Sequence, residues 1–353
     1  MKLLGFILRR LGHGLLIMLG VLVAIFFLFN VLPGDPVALL AGQRSDLSTR
    51  EAITKELGLD KPLPVQLAYY LNDVSPLSVH EDTEANQAKY EYTKLIDLGD
   101  DALVWKTPYL RRSFQSNKNV TDILMDHFTG TLWLAAAAML IATVFGILFG
   151  VFASLKPHSI LDHTLITTSV LGISVPSFVA AILIAITFGF YWSDWTGLSL
   201  TGQLFEIDPF EGKQLMLRNL LLPAIALGIR PLAIVVQLTR SSMLDVMSQD
   251  YIRTARAKGL SKYKVISGHA LKNALNPVVT AVSGWLASLM AGAFFIEYIF
   301  NWKGLGSVTL QAVQNLDFPL VMGSTLFVAF LFILINILVD LLYAALDPRV
   351  KLD

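Results

Sequence analysis

Six apolar runs, each long enough to cross a bilayer, constrain this chain more than any other feature. A helix needs about 20 apolar residues to span the hydrocarbon core. Leu15–Leu32 is an uncharged run of 18 residues, Gly130–Leu155 one of 26, Thr164–Ser193 one of 30, Asn273–Ile296 one of 24 and Phe318–Val339 one of 22. Asn219–Thr239 adds 21 residues with a single charge, Arg230. Backbone groups in lipid must be satisfied within the segment, so such runs are expected to be helices; barrel strands would be short and alternating. Charged residues make up 15% of the chain, against about 25% in soluble domains. A soluble enzyme, a disordered chain and a coiled coil are excluded. The 27 basic and 27 acidic residues cancel, so no global field attracts nucleic acid. There is no cysteine, hence no disulfide, thiolate chemistry or cysteine-ligated zinc.

The expectation is an all-α membrane protein with six transmembrane helices. Lys2, Arg9 and Arg10 precede the first run, as in a signal peptide. The run is longer than the usual ~7–15 residue core, and Asn30-Val31-Leu32-Pro33 offers no small-residue cleavage site, so it reads as an uncleaved span. Basic residues in short loops set orientation. With the N-terminus in the cytoplasm, cytoplasmic segments hold 13 basic residues, and the two short external loops hold Lys213, Arg218 and Lys303. Both termini are expected to be cytoplasmic. The chain then divides into an N-terminal segment (1–14), a first helix (15–32), a large external loop (33–129), a five-helix core (130–347) with a cytoplasmic loop at 240–272, and a C-terminal segment (348–353).

The external loop shows local signals. Ser48-Thr49-Arg50-Glu51 fits a capping box, and Gly58 suits a helix end. Pro62 and Pro64 follow, and Val65–Leu71 predicts a second short helix. Asn72–Thr107 carries eight acidic and three basic residues and reads as a solvated insert. Asn119-Val120-Thr121 matches a three-residue glycosylation sequon. Tyr191, Trp192 and Trp195 open the second external loop, where aromatic rings favour the interface.

The basic segment Arg240–Lys272 reads as two helices and a turn. Ser248–Lys258 is a good helical stretch. Gly259 breaks it, because glycine takes a left-handed turn cheaply. Ser261 is placed to cap a second helix to about Ala274, and Asn276-Pro277 leads into the fifth run. By physics alone, such a projection suits anionic lipid and a protein partner equally.

Catalytic signatures are missing. The one Gly-Lys step, Gly212-Lys213, lacks the rest of a phosphate loop, and there is no H-E-x-x-H or G-x-S-x-G pattern. The six histidines are scattered, with His158 and His163 five apart. Arg230, between Pro223 and Pro231, is the one charge deep in a run. Two readings stand: a residue lining a transport path, or a structural ion pair or snorkelling side chain. Gly146-x-x-x-Gly150 and Ala287-x-x-x-Ala291 permit close helix packing and point to a bundle and to oligomerisation.

Asp250-Tyr251-Ile252-Arg253-Thr254-Ala255-Arg256-Ala257-Lys258-Gly259, followed by His269-Ala270-Leu271-Lys272-Asn273-Ala274-Leu275-Asn276-Pro277, closely resembles the permease subunits of ABC importers for dipeptides, oligopeptides and nickel. The likeness extends to Phe6–Leu11, Leu32–Pro36, Glu56–Gln66, which is typical of the first of two paired permeases, Leu238–Leu244 and Asp340–Arg349. The resemblance implies a binding-protein-dependent importer permease fold and a role in ATP-driven peptide uptake across a bacterial inner membrane. Nickel, glutathione-like peptides and oligosaccharides are alternative cargoes. It implies a second homologous permease, two ATPase subunits that hydrolyse the ATP, and an external solute-binding protein as partners, with no cofactor, metal or catalytic residue on this chain. It assigns Asp250, Tyr251, Arg253, Thr254, Ala255, Ala257, Gly259 and His269 to the loop that docks on the ATPase. Two departures stand out. Lys303 replaces the usual proline in Phe300–Gly306, which predicts a less rigid external turn, and Asn72–Thr107 has no counterpart in typical members. A self-contained secondary transporter would need intramembrane coupling groups and inverted repeats, and neither is visible.

Overall fold

The structure, a computed structural model, describes residues 2–31, 54, 60–208, 210 and 212–346. The Ser48–Glu51 capping box, Gly58, Leu32–Pro36 and residues 348–353 lie outside them. Helix α1 (Lys2–Val31) carries the first apolar run. Helix α2 (Leu63–Val74) contains the short helix expected at Val65–Leu71 and starts two residues earlier, because Pro64 in the first turn forfeits no intrahelical bond.

The segment that follows corrects the all-α expectation. Strand β1 (Leu77–Glu81), helix α3 (Glu84–Tyr90), β2 (Thr93–Asp97) and β3 (Asp101–Trp105) form a three-stranded antiparallel sheet of order β1-β3-β2. Leu77 pairs with Trp105 and Val79 with Leu103, and a bulge interrupts β2 between Lys94 and Ile96. The period-two alternation that makes β1 a strand turns Ser78 and His80 inward and Leu77, Val79 and Glu81 outward. Asn72 accepts from the Val79 amide (3.0 Å) and donates to the Val79 carbonyl (2.8 Å), covering the edge of β1 as a neighbouring strand would. Tyr90, Tyr92, Ala102 and Val104 form the small core. Lys106 is buried against it and donates to the Asp73 carbonyl; burial pushes its ammonium down to about 8.

Helix α4 (Val120–Leu155) carries the second run. The third run is not one straight span. Helices α5 (Ile160–Ser174) and α6 (Ser177–Ile186, continued by a π-helical turn at Thr187–Tyr191) meet at a bend of 108°. Pro176 has no amide to continue the helix, and it forces Val175 into extended backbone (ψ 130°). A short helix α7 (Ser193–Thr196) and a hairpin of β4 (Phe205–Asp208) and β5 (Gly212–Leu215) follow. Then come α8 (Arg218–Met247), α9 (Asp250–Ala257) and α10 (Lys262–Lys264). Next are a π-helical Val265–Ala270, α11 (Leu271–Ala274), α12 (Asn276–Gly292), α13 (Phe294–Ile299), α14 (Leu305–Gln314) and α15 (Phe318–Leu346). Among the described residues four helices, α1, α4, α8 and α15, are long and apolar enough to cross a membrane, and the bent pair counts as a fifth. The expected run Asn273–Ile296 is a 17-residue helix, α12, with a break at Ala293.

The chain packs as two units. In the unit built on Leu8–Asp126 and Thr309–Phe330, Leu22, Ile25, Phe26, Tyr70, Met322 and Leu326 share a core. Asp317 accepts from the Ser113 hydroxyl (2.6 Å) and the Phe114 amide (3.0 Å). In the unit built mainly on His127–Val308, α8 is the central helix, with 67% of its apolar window buried. A β-carbon on Gly146 would lie 2.6 Å from Val235, and one on Gly150 2.5 Å from Thr239. The expected small-residue pair is thus used to seat α8 on α4 within the chain.

The Phe300–Gly306 turn, expected to be external and loose, is pinned. Trp302 donates its indole N–H to the Gly130 carbonyl (2.9 Å), and the Leu305 amide donates to the Thr131 hydroxyl (2.8 Å). Glu297, fully buried, accepts from Thr131 (2.7 Å) and from the Ser307 amide (3.0 Å). Gly130 lies so close to Lys303 that a β-carbon would fall 1.7 Å from the Lys303 carbonyl oxygen. These contacts replace the constraint that proline would supply.

Candidate functional site

The basic segment is a helix, a closed turn and a second helix. Helix α9 ends in a Schellman turn. The Gly259 amide donates to Arg256 (3.0 Å) and the Leu260 amide to Ala255 (3.4 Å), with Gly259 at φ +78°. Leu260 packs on the cluster that includes Ala255, the hydrophobic contact that accompanies such turns. A β-carbon at Gly259 would meet nothing within 4 Å, so backbone conformation, and not space, selects glycine there. Ser261 then caps the second helix by accepting from the Lys264 amide (3.5 Å). The next helix runs from Lys262 to Gly292 with Val265, Leu271 and Leu275 all right-handed helical at its joints.

The inner faces of both helices share one apolar cluster of Met243, Ile252, Ala255, Val265, Ala270 and Ala274. Of the residues singled out from the sequence, Ala255 therefore belongs to the inside. Asp250, Tyr251, Arg253, Thr254, Ala257, Gly259 and His269 are on the outer surface. Arg253 pairs with Asp250 (3.2 Å), and Thr254 donates to the Asp250 carbonyl (3.0 Å). Both are local contacts that leave the surface available.

Three features escaped sequence reasoning. Asn273 donates to the Tyr251 hydroxyl (3.0 Å), tying the two helices across the turn. Tyr263, between Lys262 and Lys264, is 79% exposed; a lone aromatic in a basic stretch was its only signal. At the root of the segment, Arg240 grips Asp162 with both Nε (2.5 Å) and Nη2 (2.7 Å), and the His158 amide adds a third donor (2.9 Å). Asp162 is buried and lies 78 positions from Arg240. Arg230 is not part of this assembly. It lies ten residues before Arg240 on α8, about 15 Å along the axis. Its side chain is exposed and has no partner among the described residues.

Comparison with known proteins places this arrangement. Residues 146–352 match the family described as "Binding-protein-dependent transport system inner membrane component", and residues 3–135 match its N-terminal counterpart. The chain is 37% identical to the dipeptide transport system permease protein DppB of Escherichia coli K12 over 366 aligned positions, 99% of each chain. It is 36% identical over 364 positions to the di/tripeptide transport system permease protein DppB of Pseudomonas aeruginosa UCBPP-PA14, again 99% of each. Among solved structures, an inward-facing form of the MetNI methionine ABC transporter superposes with a TM-score of 0.51 at 16% identity, covering 65% of this chain and 98% of that one. That likeness bears on the fold alone. With its long apolar helices, the chain is a multi-pass membrane protein and belongs to the family of inner membrane components of binding-protein-dependent transport systems.

Proposed function

We propose that the chain is a permease subunit of an ATP-driven importer of di- and oligopeptides in a bacterial inner membrane. One observation carries this reading: the alignment to the dipeptide permease, 37% identical, extends over 99% of both chains and so spans the helix–turn–helix segment. The chain crosses six times with both ends in the cytoplasm; α12, continuous with the helix that begins at Lys262, supplies the crossing that its own 17 residues only just reach. It pairs with a second homologous permease, takes peptide from an external solute-binding protein, and docks two ATPase subunits. Asp250, Tyr251, Arg253, Thr254, Ala257, Gly259 and His269 form the docking surface, and Ala255 holds it from within. The chain has no ATP site of its own and needs no cofactor or metal; ATP acts through the docked partners.

The test is reconstitution. The assembled complex in proteoliposomes is expected to take up dipeptide with peptide-stimulated ATP hydrolysis, while this chain alone does neither. Response to nickel or oligosaccharide but not peptide would overturn the cargo assignment, and ATP hydrolysis by the isolated chain would overturn the division of labour.

A further inference from the structure

Arg230 is the only full charge within the six apolar runs. It lies eleven residues from Asn219 and nine from Thr239, which puts it about 14–17 Å of helix from either end of its run. An arginine side chain does not reach that far, so snorkelling does not account for it. Among the described residues it has no ion-pair partner. Left facing hydrocarbon, a central arginine is strongly disfavoured.

Its neighbours on the helix point the same way. Gln237 and Ser241 follow Arg230 by seven and eleven residues, which places all three on one face of α8. Arg230 and Ser241 are exposed and Gln237 is half-buried. Gln237, like Arg230, has no hydrogen-bond partner among the described residues. The rest of α8 is the most buried of the long helices, so the polar face is confined to one stripe. Helix α12, which packs against α8, shows an independent stripe. Asn276, Thr280, Gly284 and Ser288, each four residues apart, are all exposed. Thr280 and Ser288 donate back to their own helix, at 3.3 Å and 3.4 Å.

We infer that Arg230 is the anion contact of the transport path, receiving the C-terminal carboxylate of a peptide in transit along the polar stripes of α8 and α12. The inference rests on the peptide-permease reading. A carboxylate is the one anion that every unmodified peptide carries, and a guanidinium fork matches it with two parallel N–H···O bonds. The remaining stripe is neutral, so it offers hydrogen bonds without a second charge to trap the cargo.

The native chain has no cysteine, so Gln237→Cys introduces one reporter on this face while Arg230 stays in place. In the complete reconstituted complex, a water-soluble thiol reagent is expected to label it, and saturating dipeptide is expected to slow labelling severalfold. A sulfonate-bearing reagent should react faster than an ammonium-bearing one, and Arg230→Gln in that background should lower this ratio about tenfold. Arg230→Gln alone should reduce dipeptide uptake about tenfold with ATPase subunits still bound, and Arg230→Lys should retain most uptake. Failure of the thiol to label, labelling that peptide does not slow, or unchanged uptake in Arg230→Gln would overturn the inference. If Arg230→Gln does not assemble, the labelling of Gln237→Cys with Arg230 intact still decides. A wild-type complex that takes up no peptide overturns the permease reading instead, while the reagent preference still reports whether Arg230 faces water.

Discussion

Replacing Asp162 with alanine leaves one guanidinium without the carboxylate built to hold it. The native side chain accepts from Arg240 Nε at 2.5 Å, from Arg240 Nη2 at 2.7 Å and from the His158 amide at 2.9 Å. Only 2% of the Asp162 side chain is exposed, against 24% of Arg240. Removing one member of a buried pair costs about 3–5 kcal/mol, because the other charge stays desolvated. Water can reach part of Arg240, so the lower end applies, about 3 kcal/mol. Asparagine keeps an acceptor for His158 and one for Arg240, and should cost roughly half as much. The assay is amide hydrogen exchange over residues 156–174 in nanodiscs. About 3 kcal/mol corresponds to roughly a hundredfold loss of protection, since each 1.4 kcal/mol is tenfold. Adding Arg240→Ala to Asp162→Ala should then cost little more, as expected for a coupled pair. A change below about threefold in Asp162→Ala, equivalent to a surface substitution, would refute the claim that this pair anchors the segment.

Gly259→Val should lose co-purifying ATPase subunits and uptake, through about 1–2 kcal/mol of left-handed backbone strain with added cost for a β-branched side chain; Gly259→Ala should be milder, and wild-type behaviour of the valine variant would sink the docking-turn assignment. Gly130→Ala should lower thermal stability by roughly 3 kcal/mol or more through its clash with the Lys303 carbonyl, whereas Gly20→Ala, with nothing within 4 Å of its β-carbon, should stay within about 1 kcal/mol and favourable. Between the Lys106 value of about 8 and its ordinary 10.5, the unfolded segment binds a proton that the folded one does not. Exchange protection of residues 77–105, corrected for intrinsic rates, should therefore rise with pH through that window, and Lys106→Met should flatten the trend. In intact cells an impermeant thiol reagent should label Ser75→Cys and leave Ser261→Cys untouched; the reverse pattern would invert the topology.

The runs at 15–32, 130–155, 219–239 and 318–339 were readable because hydrocarbon demands length and the chain supplies it. The break in the third run was also written in the sequence, at Val175-Pro176, but a count of uncharged residues passes over proline, whose effect is conformational. The strand Leu77–Glu81 alternates as strands do, yet its apolar residues face outward and its Ser78 and His80 face inward, and the surrounding acidic residues disguise it. The turn at Gly259 was legible because its chemistry is local. Asp162 with Arg240 and Glu297 with Thr131 were not, because partners 78 and 166 positions apart are brought together only by tertiary packing. The same holds for Arg230. The sequence placed a charge in an apolar run, and only the burial of the rest of α8 showed that this charge is left outside the packing.

The helix from Lys262 to Gly292 is, mechanically, a beam. At 31 residues it is about 46 Å long, and it is braced to Tyr251 through Asn273, two residues before Leu275. If the beam pivots at Leu275, where the apolar run takes over, its two arms measure about 20 Å and 26 Å. Displacement of the basic tip then reappears at the far end in the opposite sense, enlarged by a factor of about 1.3. A stroke of ~3 Å at the tip becomes ~4 Å at Gly292 and stays ~3 Å at Ser288, where the polar stripe ends, so under the proposed docking the movement along the stripe would be set by distance from one pivot.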